Sequence, residues 1–341
     1  MALNVQTVRY FSMFSGIGGF ELGIEQAAKA LGLSTRCVGY SEIDAPAIKT
    51  YEEHFDHHNY GDATSIDAAA LPDFDLLAAG FPCQAFSIAG KRLGFEESRG
   101  TLFFDVARIL KAKRPRHFIL ENVKGLLSHD GGRTIRVIIN TLTELGYCVE
   151  WQVLNSKNHG VPQSRERIYI VGHYGGIPAR TVLPFAGQGN PHSTVGLTTE
   201  TAVARTFTAG GNSGGNHSGM TVIQQLAVFP FTEEVSGRLK EITRGVADAF
   251  RMYEPAMART LKSQGGGMGA LTGLYDDTKA ECRGILVNRI RRLTPVEAER
   301  LQGFPDGWTI GSDTQRYRQC GNAVTVNVVR DVARRLLAGV A

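Results

Sequence analysis

The chain has 341 residues, of which 43% are hydrophobic and 21% charged, and its net charge is +4. This is ordinary globular composition, long enough for one large or two modest domains, and the small basic excess permits an anionic partner without requiring one. The five cysteines are odd in number and form no C-x-x-C pair, which argues against a disulfide scaffold or zinc site and favours a reduced compartment. With no signal pattern and no apolar run long enough to span a membrane, we expect a soluble, cytoplasmic protein with no bound metal.

The first predicted elements are a strand from Val8 to Phe14, the turn Ser15–Phe20 and an amphipathic helix from Glu21 to about Leu31. A strand, a glycine-rich turn and a helix N-terminus form a cradle for a nucleotide-like ligand, although many such turns bind nothing. The next predicted strand, Cys37–Tyr40, ends close to Glu42. An acid in this position holds ribose hydroxyls in such folds, and a helix N-terminal charge is the alternative.

A cysteine follows the third predicted strand, the apolar run Phe74–Ala79. It is Cys83, which comes directly after Pro82 in the glycine-flanked loop Gly80–Ser87. Such a strand end is where α/β enzymes place reactive groups, whereas a buried structural cysteine is the commonest alternative. The chain stays polar and rich in glycine up to Gly100, which is typical of a mobile loop near an anion or of a plain exposed loop.

Charged residues follow two further predicted strands. Glu121 comes directly after the apolar run His117–Leu120, where desolvation would raise its pKa and make it a candidate proton donor, with a salt-bridged structural acid as the alternative. Val161–Val171 is predicted to be a single strand on which Arg165 and Arg167 point to one face. Two guanidinium groups on one face suggest phosphate or carbonyl recognition, or an ion-pair ladder with nearby acids.

The second half of the chain changes character, since residues 175–225 are rich in Gly, Thr, Ser and Asn and show little periodicity. Ala204–Gly211 and Ala258–Gly267 resemble each other, either as equivalent loops of a small β-rich domain or by chance. Glycine loops with polar side chains suit close approach to a nucleic-acid groove, and a flexible insert is the alternative. A predicted helix from Pro295 to about Gln302 and a terminal helix ending near Leu337 complete the chain.

The order of the motifs is more specific than any single one. Along the chain they are F-x-G-x-G-G from Phe14, Glu42, Gly61-Asp62, Gly80–Gln84, Glu121–Val123, Gln163–Arg167, Arg292–Pro295, Gly303–Pro305 and Gly321–Val324. In this order they resemble the DNA cytosine-C5 methyltransferases, most closely the bacterial modification enzymes of the HhaI type, over about residues 8–175 and 258–335.

The resemblance implies an α/β fold with two parts. The first is a Rossmann-like, S-adenosylmethionine-dependent methyltransferase domain, expected over residues 1–177 and 312–341. The second is a smaller, β-rich target-recognition domain with a hinge, expected over residues 178–311. The sequence specificity of the recognition part cannot be interpreted from the residues.

S-adenosyl-L-methionine is the implied cofactor. By resemblance the glycine turn lines its pocket, Glu42 takes the ribose hydroxyls, and Ile43 and Asp62 meet the adenine, while Pro82 and Asn322 approach the methionine end. The implied cofactor-binding residues are Phe14, Gly16, Ile17, Gly18, Gly19, Glu42, Ile43, Asp62, Ala63, Pro82, Asn322 and Ala323. The chain departs from the family at Ser12, where members often carry an acid, and at Ile43, where an aromatic residue often stacks on the adenine.

The implied catalytic residues are Cys83, Glu121, Arg165 and Arg167. By resemblance the Cys83 thiolate adds to C6 of a cytosine flipped out of the duplex, protonated Glu121 binds the N3/N4 edge, and Arg165 holds O2. The implied DNA-contacting residues are Gln84, Ser87, Lys91 and Arg99 in the mobile loop and Thr260, Lys262, Gln264, Gly265 and Gly266 in the recognition part.

The implied partner is double-stranded DNA, on which the chain would act as a monomer near the nucleoid. The resemblance leaves open a restriction-modification system with a cognate restriction endonuclease, without direct binding between the two enzymes, or a solitary or phage methylase. The tRNA-methylating branch of the family is an alternative, against which the long stretch between Gly172 and Ile290 argues. A catalytically inactive DNA-binding regulator is another, against which intact Cys83, Glu121 and Arg165 argue.

Overall fold

The computed structural model describes residues 6–82, 102–176, 181–185 and 293–339, together with the backbone of 203–205 and 257–258. The strands are β1 (Thr7–Met13), β2 (Ser34–Ser41), β3 (Leu76–Gly80), β4 (His117–Val123), β5 (Tyr147–Asn155), β6 (Gln163–Ser164), β7 (Glu166–Tyr174), β8 (Val203–Arg205) and β9 (Met257–Ala258). The α-helices are α1 (Gly19–Ala30), α2 (Ala45–Glu52), α3 (Leu102–Lys113), α4 (Arg133–Glu144), α5 (Pro295–Gln302), α6 (Asp313–Asn322) and α7 (Val326–Leu337). None of the helices in these described ranges is long and apolar enough to cross a bilayer.

A six-stranded sheet forms the centre of the fold, in the order β2-β1-β3-β4-β7-β5. The first four strands in that order are parallel, whereas β7 runs antiparallel to both β4 and β5. The prediction of an α/β domain is therefore confirmed for this part of the chain. Because parallel strands end at the same edge, the residues that follow β1, β2, β3 and β4 are brought together there.

Helices cover both faces of the sheet, which explains why its central strands are apolar throughout. Successive residues of a strand point to opposite faces. In β3, Leu77 and Ala79 belong to the core beneath α3 and α4, whereas Leu76 and Ala78 belong to the core beneath α1 and α7. The apolar run predicted as a buried strand is thus buried on both sides.

The terminal helix α7 packs closely against α1. The contact is possible because α1 has glycine where the two backbones approach: a Cβ atom built at Gly23 would lie 2.7 Å from the Cβ of Val329. The facing side chains Val328, Val329 and Val332 of α7 are fully or almost fully buried. Burial of each such side chain is worth about 1.5–3 kcal/mol, so the last helix is part of the core that packs on the six-stranded sheet.

The prediction of one continuous strand over Val161–Val171 is wrong, because Arg165 interrupts it between β6 and β7. The cause is a side chain: the Arg165 amide donates to Asn155 Oδ1 at 3.1 Å. In addition, the amide of Ser156 donates to the Arg165 carbonyl at 3.0 Å. The helix α6 is also absent from the sequence analysis, although Ser312 and Gln315 cap its first turn.

A second, three-stranded sheet has the order β6-β8-β9, and all its strands are parallel. Ala204 pairs with Ala258 in this sheet. These are the first residues of the two segments that resemble each other in sequence, so the pairing brings the two segments together at their first residues. Most of residues 178–292 lie outside the described ranges, and a separate recognition domain stays a prediction.

A buried acid lies under the turn between β1 and α1. Glu21, in the first turn of α1, is completely buried, and the Tyr51 hydroxyl donates to its carboxylate at 3.1 Å. Burial raises the pKa of Glu21 to about 7, although the hydroxyl groups of Ser12 and Tyr51 oppose the shift. A carboxyl group therefore lies beside Ser12, the position at which the resemblance leads us to expect an acid.

The raised pKa of Glu21 predicts a loss of stability with rising pH. The unfolded carboxyl, with a pKa near 4.5, ionises before the folded one, so stability falls as pH rises from about 4.5 to 7. Each pKa unit corresponds to about 1.4 kcal/mol, so Glu21→Gln is expected to gain a few kcal/mol over the wild type at pH 8 and little at pH 4.5. Urea unfolding at the two pH values measures this difference.

Glu53 provides the matched control, since Glu53→Gln makes the same carboxylate-to-amide change at a solvent-exposed position. This variant is expected to follow the wild type at both pH values. If Glu21→Gln also follows the wild type, Glu21 does not titrate in the expected window.

Candidate active site

The turn after β1 has the backbone shape of a ligand cradle. Phe14, Gly16 and Gly18 have positive φ angles of 55°, 56° and 86°. Within the described residues, and leaving out the two chain neighbours of Gly16, no atom lies within 4 Å of a Cβ atom built there, so the backbone is open on that side. The N-terminus of α1 follows directly, and its free N–H groups favour a polar or anionic ligand.

Glu42 holds this turn from the end of β2. One carboxylate oxygen accepts a hydrogen bond from the Gly16 amide at 2.8 Å. The other accepts from the amides of Ile43 and Asp44 at 2.8 and 2.9 Å. Glu42 therefore links the ends of β1 and β2. The sequence places an acid here, but the hydrogen bonds show in addition that it shapes the turn.

The two residues expected to meet an adenine, Ile43 and Asp62, follow segments that are linked by a hydrogen bond from Ser41 Oγ to the Gly61 carbonyl at 2.7 Å. Ile43 is 70% exposed, which is unusual for a large aliphatic side chain and leaves an apolar surface beside Glu42. Asp62 is exposed, and its Oδ1 accepts from the Thr64 amide at 2.9 Å. This hydrogen bond holds the pKa of Asp62 below its usual range, so the side chain is an anion with acceptor capacity. Ala63, next to it, is buried.

Residues that come late in the chain, Trp308 and Val324, also contact the turn. This contact was not predicted from the sequence. The indole Nε1 of Trp308 donates to the Ile17 carbonyl at 2.8 Å. A Cβ atom built at Gly19 would lie 2.8 Å from Val324 Cγ2, so the segment after Asn322 packs directly on the turn. An aromatic residue after Gly303-Phe304-Pro305 is the only signal of this contact in the sequence.

Glu121 lies where two strands end side by side. It pairs with Gly80 in the parallel register of β3 and β4, and a Cβ atom built at Gly80 would be 3.7 Å from Glu121 Oε2. The neighbouring Asn122 side chain donates to the Phe81 carbonyl at 2.8 Å. This bond fixes the chain at the point where it leaves β3 for Pro82 and Cys83.

Arg167, rather than Arg165, is the ion-pair partner of Glu121. Arg167 Nε lies 3.1 Å from Glu121 Oε1, and both side chains are only about a tenth exposed. Arg165 instead donates from Nη1 to the Gly321 carbonyl at 3.2 Å and from Nη2 to the Ala323 carbonyl at 2.8 Å. Burial lowers the pKa of Arg165 to about 9, and the neighbouring charge of Arg167 acts in the same direction, against that of Glu121.

A buried chain of polar side chains connects Arg165 to α5. Ser156 Oγ donates to the Arg165 carbonyl at 3.3 Å and lies 2.9 Å from Thr325 Oγ1. Thr325 Oγ1 donates to Gln302 Oε1 at 2.8 Å, and Gln302 Nε2 donates to the Cys320 carbonyl at 2.8 Å. Each of these side chains is almost completely buried. The network therefore fixes the segment around Asn322, whose own side chain is exposed.

The structure thus brings the turn, Glu42, Ile43 and Asp62 to one sheet edge, with Glu121, Arg167 and Asn322 at the ends of neighbouring elements. Pro82, also a predicted site residue, is exposed at the end of the described range 6–82. Ten further predicted site residues lie outside the described ranges, and no position is assigned to them. They are Cys83, Gln84, Ser87, Lys91, Arg99, Thr260, Lys262, Gln264, Gly265 and Gly266.

Solved structures similar to this chain are methyltransferases. Schizosaccharomyces pombe Dnmt2 methyltransferase superimposes with a TM-score of 0.61 at 19% identity, covering 98% of this chain and 99% of that one. A prophage-encoded putative DNA modification methyltransferase of E. coli gives a TM-score of 0.59 at 20% identity, with 98% and 99% covered. At these identities the likeness shows the fold, an α/β methyltransferase fold.

Sequence comparison is more specific. Type II methyltransferase M.HhaI of Haemophilus parahaemolyticus is 36% identical over 96% of this chain and 93% of its own length. Type II methyltransferase M.HpaII of Haemophilus parainfluenzae is 39% identical over 96% and 88%, respectively. The family model for C-5 cytosine-specific DNA methylases matches residues 8–338. The chain therefore belongs to the C-5 cytosine-specific DNA methylase family and is a DNA cytosine-C5 methyltransferase.

Proposed function

We propose that this enzyme transfers a methyl group from S-adenosyl-L-methionine to C5 of a flipped-out cytosine in a specific duplex DNA site, through a covalent bond between Cys83 and C6. The observation that carries the proposal is the position of the Glu121–Arg167 pair, beside the strand end that leads to Pro82 and Cys83. A carboxyl group and a guanidinium group together match the hydrogen-bonding edge of a cytosine.

The residues at the sheet edge fit S-adenosyl-L-methionine. The open side of Gly16 permits close approach to the backbone, and exposed Ile43 offers an apolar surface to an adenine. Glu42 and Asp62 supply carboxylate oxygens for ribose and adenine donors. When bound, the cofactor supplies an electrophilic methyl group on a sulfonium sulfur.

Cys83 is needed because C5 of cytosine is a poor nucleophile. Addition of the Cys83 thiolate to C6 forms a C–S bond and moves the electron pair of the C5–C6 double bond to C5, as in an enamine. The electron pair on C5 would then form a bond to the methyl carbon of bound cofactor, and the methyl–sulfur bond would break with its electrons left on sulfur. Loss of the C5 proton to a base restores the double bond and expels the thiolate, so Cys83 is regenerated.

Glu121 and Arg167 bind the base in this proposal. Glu121 accepts from the N4 amino group and, when it carries a proton, donates to N3, which stabilises charge on the ring. The resemblance assigns O2 of the base to Arg165, but the contacts favour Arg167, since Arg167 pairs with Glu121 at 3.1 Å, whereas Arg165 donates to the carbonyls of Gly321 and Ala323. Arg165 then shapes the pocket by holding Gly321 and Ala323.

Within the expected range 178–311, target recognition is proposed for the part that precedes Leu293, with Thr260 and the loop from Lys262 to Gly266 at the DNA. The part from Leu293 onward is left out because Phe304 and Trp308 share a buried cluster with Ile17. The relatives' description as Type II methyltransferases supports a role in a restriction-modification system. The tRNA alternative has no specific observation in its favour.

Covalent trapping tests the role of Cys83. DNA with 5-fluorocytosine at the target is expected to form a denaturation-resistant adduct in the presence of cofactor, because fluorine cannot leave as the proton does. The adduct should map to Cys83 by mass spectrometry, since burial raises the pKa of Cys37 to about 12 and that of Cys320 also well above the usual range.

Cys83→Ser is the matched variant and should bind the same DNA without forming the adduct. An adduct on another residue would remove Cys83 from the mechanism. Trapping on fluorinated tRNA but not on fluorinated DNA would overturn the choice of substrate.

Arg165→Gln is expected to destabilise the protein by roughly 2–3 kcal/mol, because the buried carbonyls of Gly321 and Ala323 lose their donors. Arg330→Gln is the control, since Arg330 forms a partly exposed pair with Asp331 worth about 0–1 kcal/mol. Urea unfolding of the free enzyme measures both. Equal effects of the two substitutions would contradict the bracing role of Arg165.

A further inference from the structure

Trp308 makes a direct contact with the turn that follows β1. Its ring is 7% exposed, and Nε1 donates to the carbonyl of Ile17 at 2.8 Å. Ile17 itself is 1% exposed. A buried carbonyl that loses its donor is costly to keep, because water does not replace the bond. The indole N–H therefore holds the turn in its observed conformation.

The Trp308 ring is held in turn by His54. The two rings stack with centroids 3.6 Å apart and planes inclined by 13°. His54 Nε2 lies 2.8 Å from the Trp308 carbonyl oxygen, and since a carbonyl can only accept, this nitrogen carries the hydrogen. Phe304 packs beside the indole, with ring centroids 5.3 Å apart. The donor to Ile17 is thus fixed in place before any ligand arrives.

The turn needs such support because its backbone is strained. Phe14 has a φ of 55°, a region that non-glycine residues rarely occupy. Glu42 holds the turn at the Gly16 amide on one side, and Trp308 holds it at the Ile17 carbonyl on the other. Without one of the two bonds, the turn would relax in the free enzyme, and ligand binding would have to restore its shape.

We propose that Trp308 is a positioning residue for the cofactor and sets its affinity by holding the Ile17 carbonyl. The proposal rests on the proposed function, since it takes the turn to be the binding site of S-adenosyl-L-methionine. Trp308 comes after the recognition stretch in the chain, so the C-terminal segment controls a site built by the N-terminal one.

The two tryptophans of the chain allow a matched experiment. Trp308→Phe keeps an aromatic ring but removes the N–H, while Trp151→Phe makes the same change on β5, at a side chain that is 47% exposed. Calorimetric titration of the full-length enzyme with S-adenosyl-L-methionine gives the dissociation constant. Trp308→Phe is expected to raise this constant and the KM for cofactor about tenfold, with kcat at saturating cofactor within about twofold. Trp151→Phe should match the wild type.

A dissociation constant for Trp308→Phe within about twofold of the wild type, with a lower unfolding temperature, would show a merely structural role and overturn the proposal. If Trp308→Phe does not fold, the Trp151→Phe variant provides the test, because Trp308 is the sole tryptophan of that variant. The fluorescence emission of Trp308 should then change on saturation with cofactor. Unchanged emission would overturn the proposal. A wild-type enzyme that binds no S-adenosyl-L-methionine would instead contradict the proposed function.

Discussion

The site depends most on the hydrogen bonds that the buried guanidinium group of Arg165 donates. A buried charge is costly unless its donors are satisfied, and the terminal nitrogens of Arg165 donate to the carbonyls of Gly321 and Ala323. These carbonyls flank Asn322, at the junction of α6 and α7. Folding of the sheet and packing of the C-terminal helices are therefore coupled. The guanidinium group of Arg165 is stable in its buried position only when the carbonyls of Gly321 and Ala323 are there to accept its hydrogen bonds.

The same coupling explains how a long stretch can interrupt the domain without separating its parts. The described segment 293–339 follows the recognition stretch in the chain. It contacts both the turn after β1 and Arg165. Trp308 donates to Ile17 in the turn after β1, and the Thr325–Ser156 contact continues to Arg165. The segment 293–339 thus supports both the proposed cofactor site and the proposed base site, so a change in this segment would affect both sites.

Local patterns predicted the parts of the site that depend on strand ends. The glycine turn and Glu42 follow apolar strands and Glu121 lies near the end of one, and a parallel sheet brings such positions together without further information. The contacts of Trp308 and Arg165 were not predictable, since their partners Ile17 and Gly321 lie 291 and 156 residues away in the chain and leave no periodic pattern. Alternation along a strand likewise gave no sign that the Asn155 side chain would interrupt the strand at Arg165.

The central claim is that the enzyme methylates C5 of cytosine in duplex DNA and needs Cys83 to do so. Bisulfite sequencing of plasmid DNA from cells that lack other cytosine methylation tests this claim most directly. Cells that express this chain should show protected cytosines at one recurring sequence. The same plasmid from cells that express Cys83→Ser should show none. Complete conversion with the wild-type chain, or equal protection with both chains, would contradict the account.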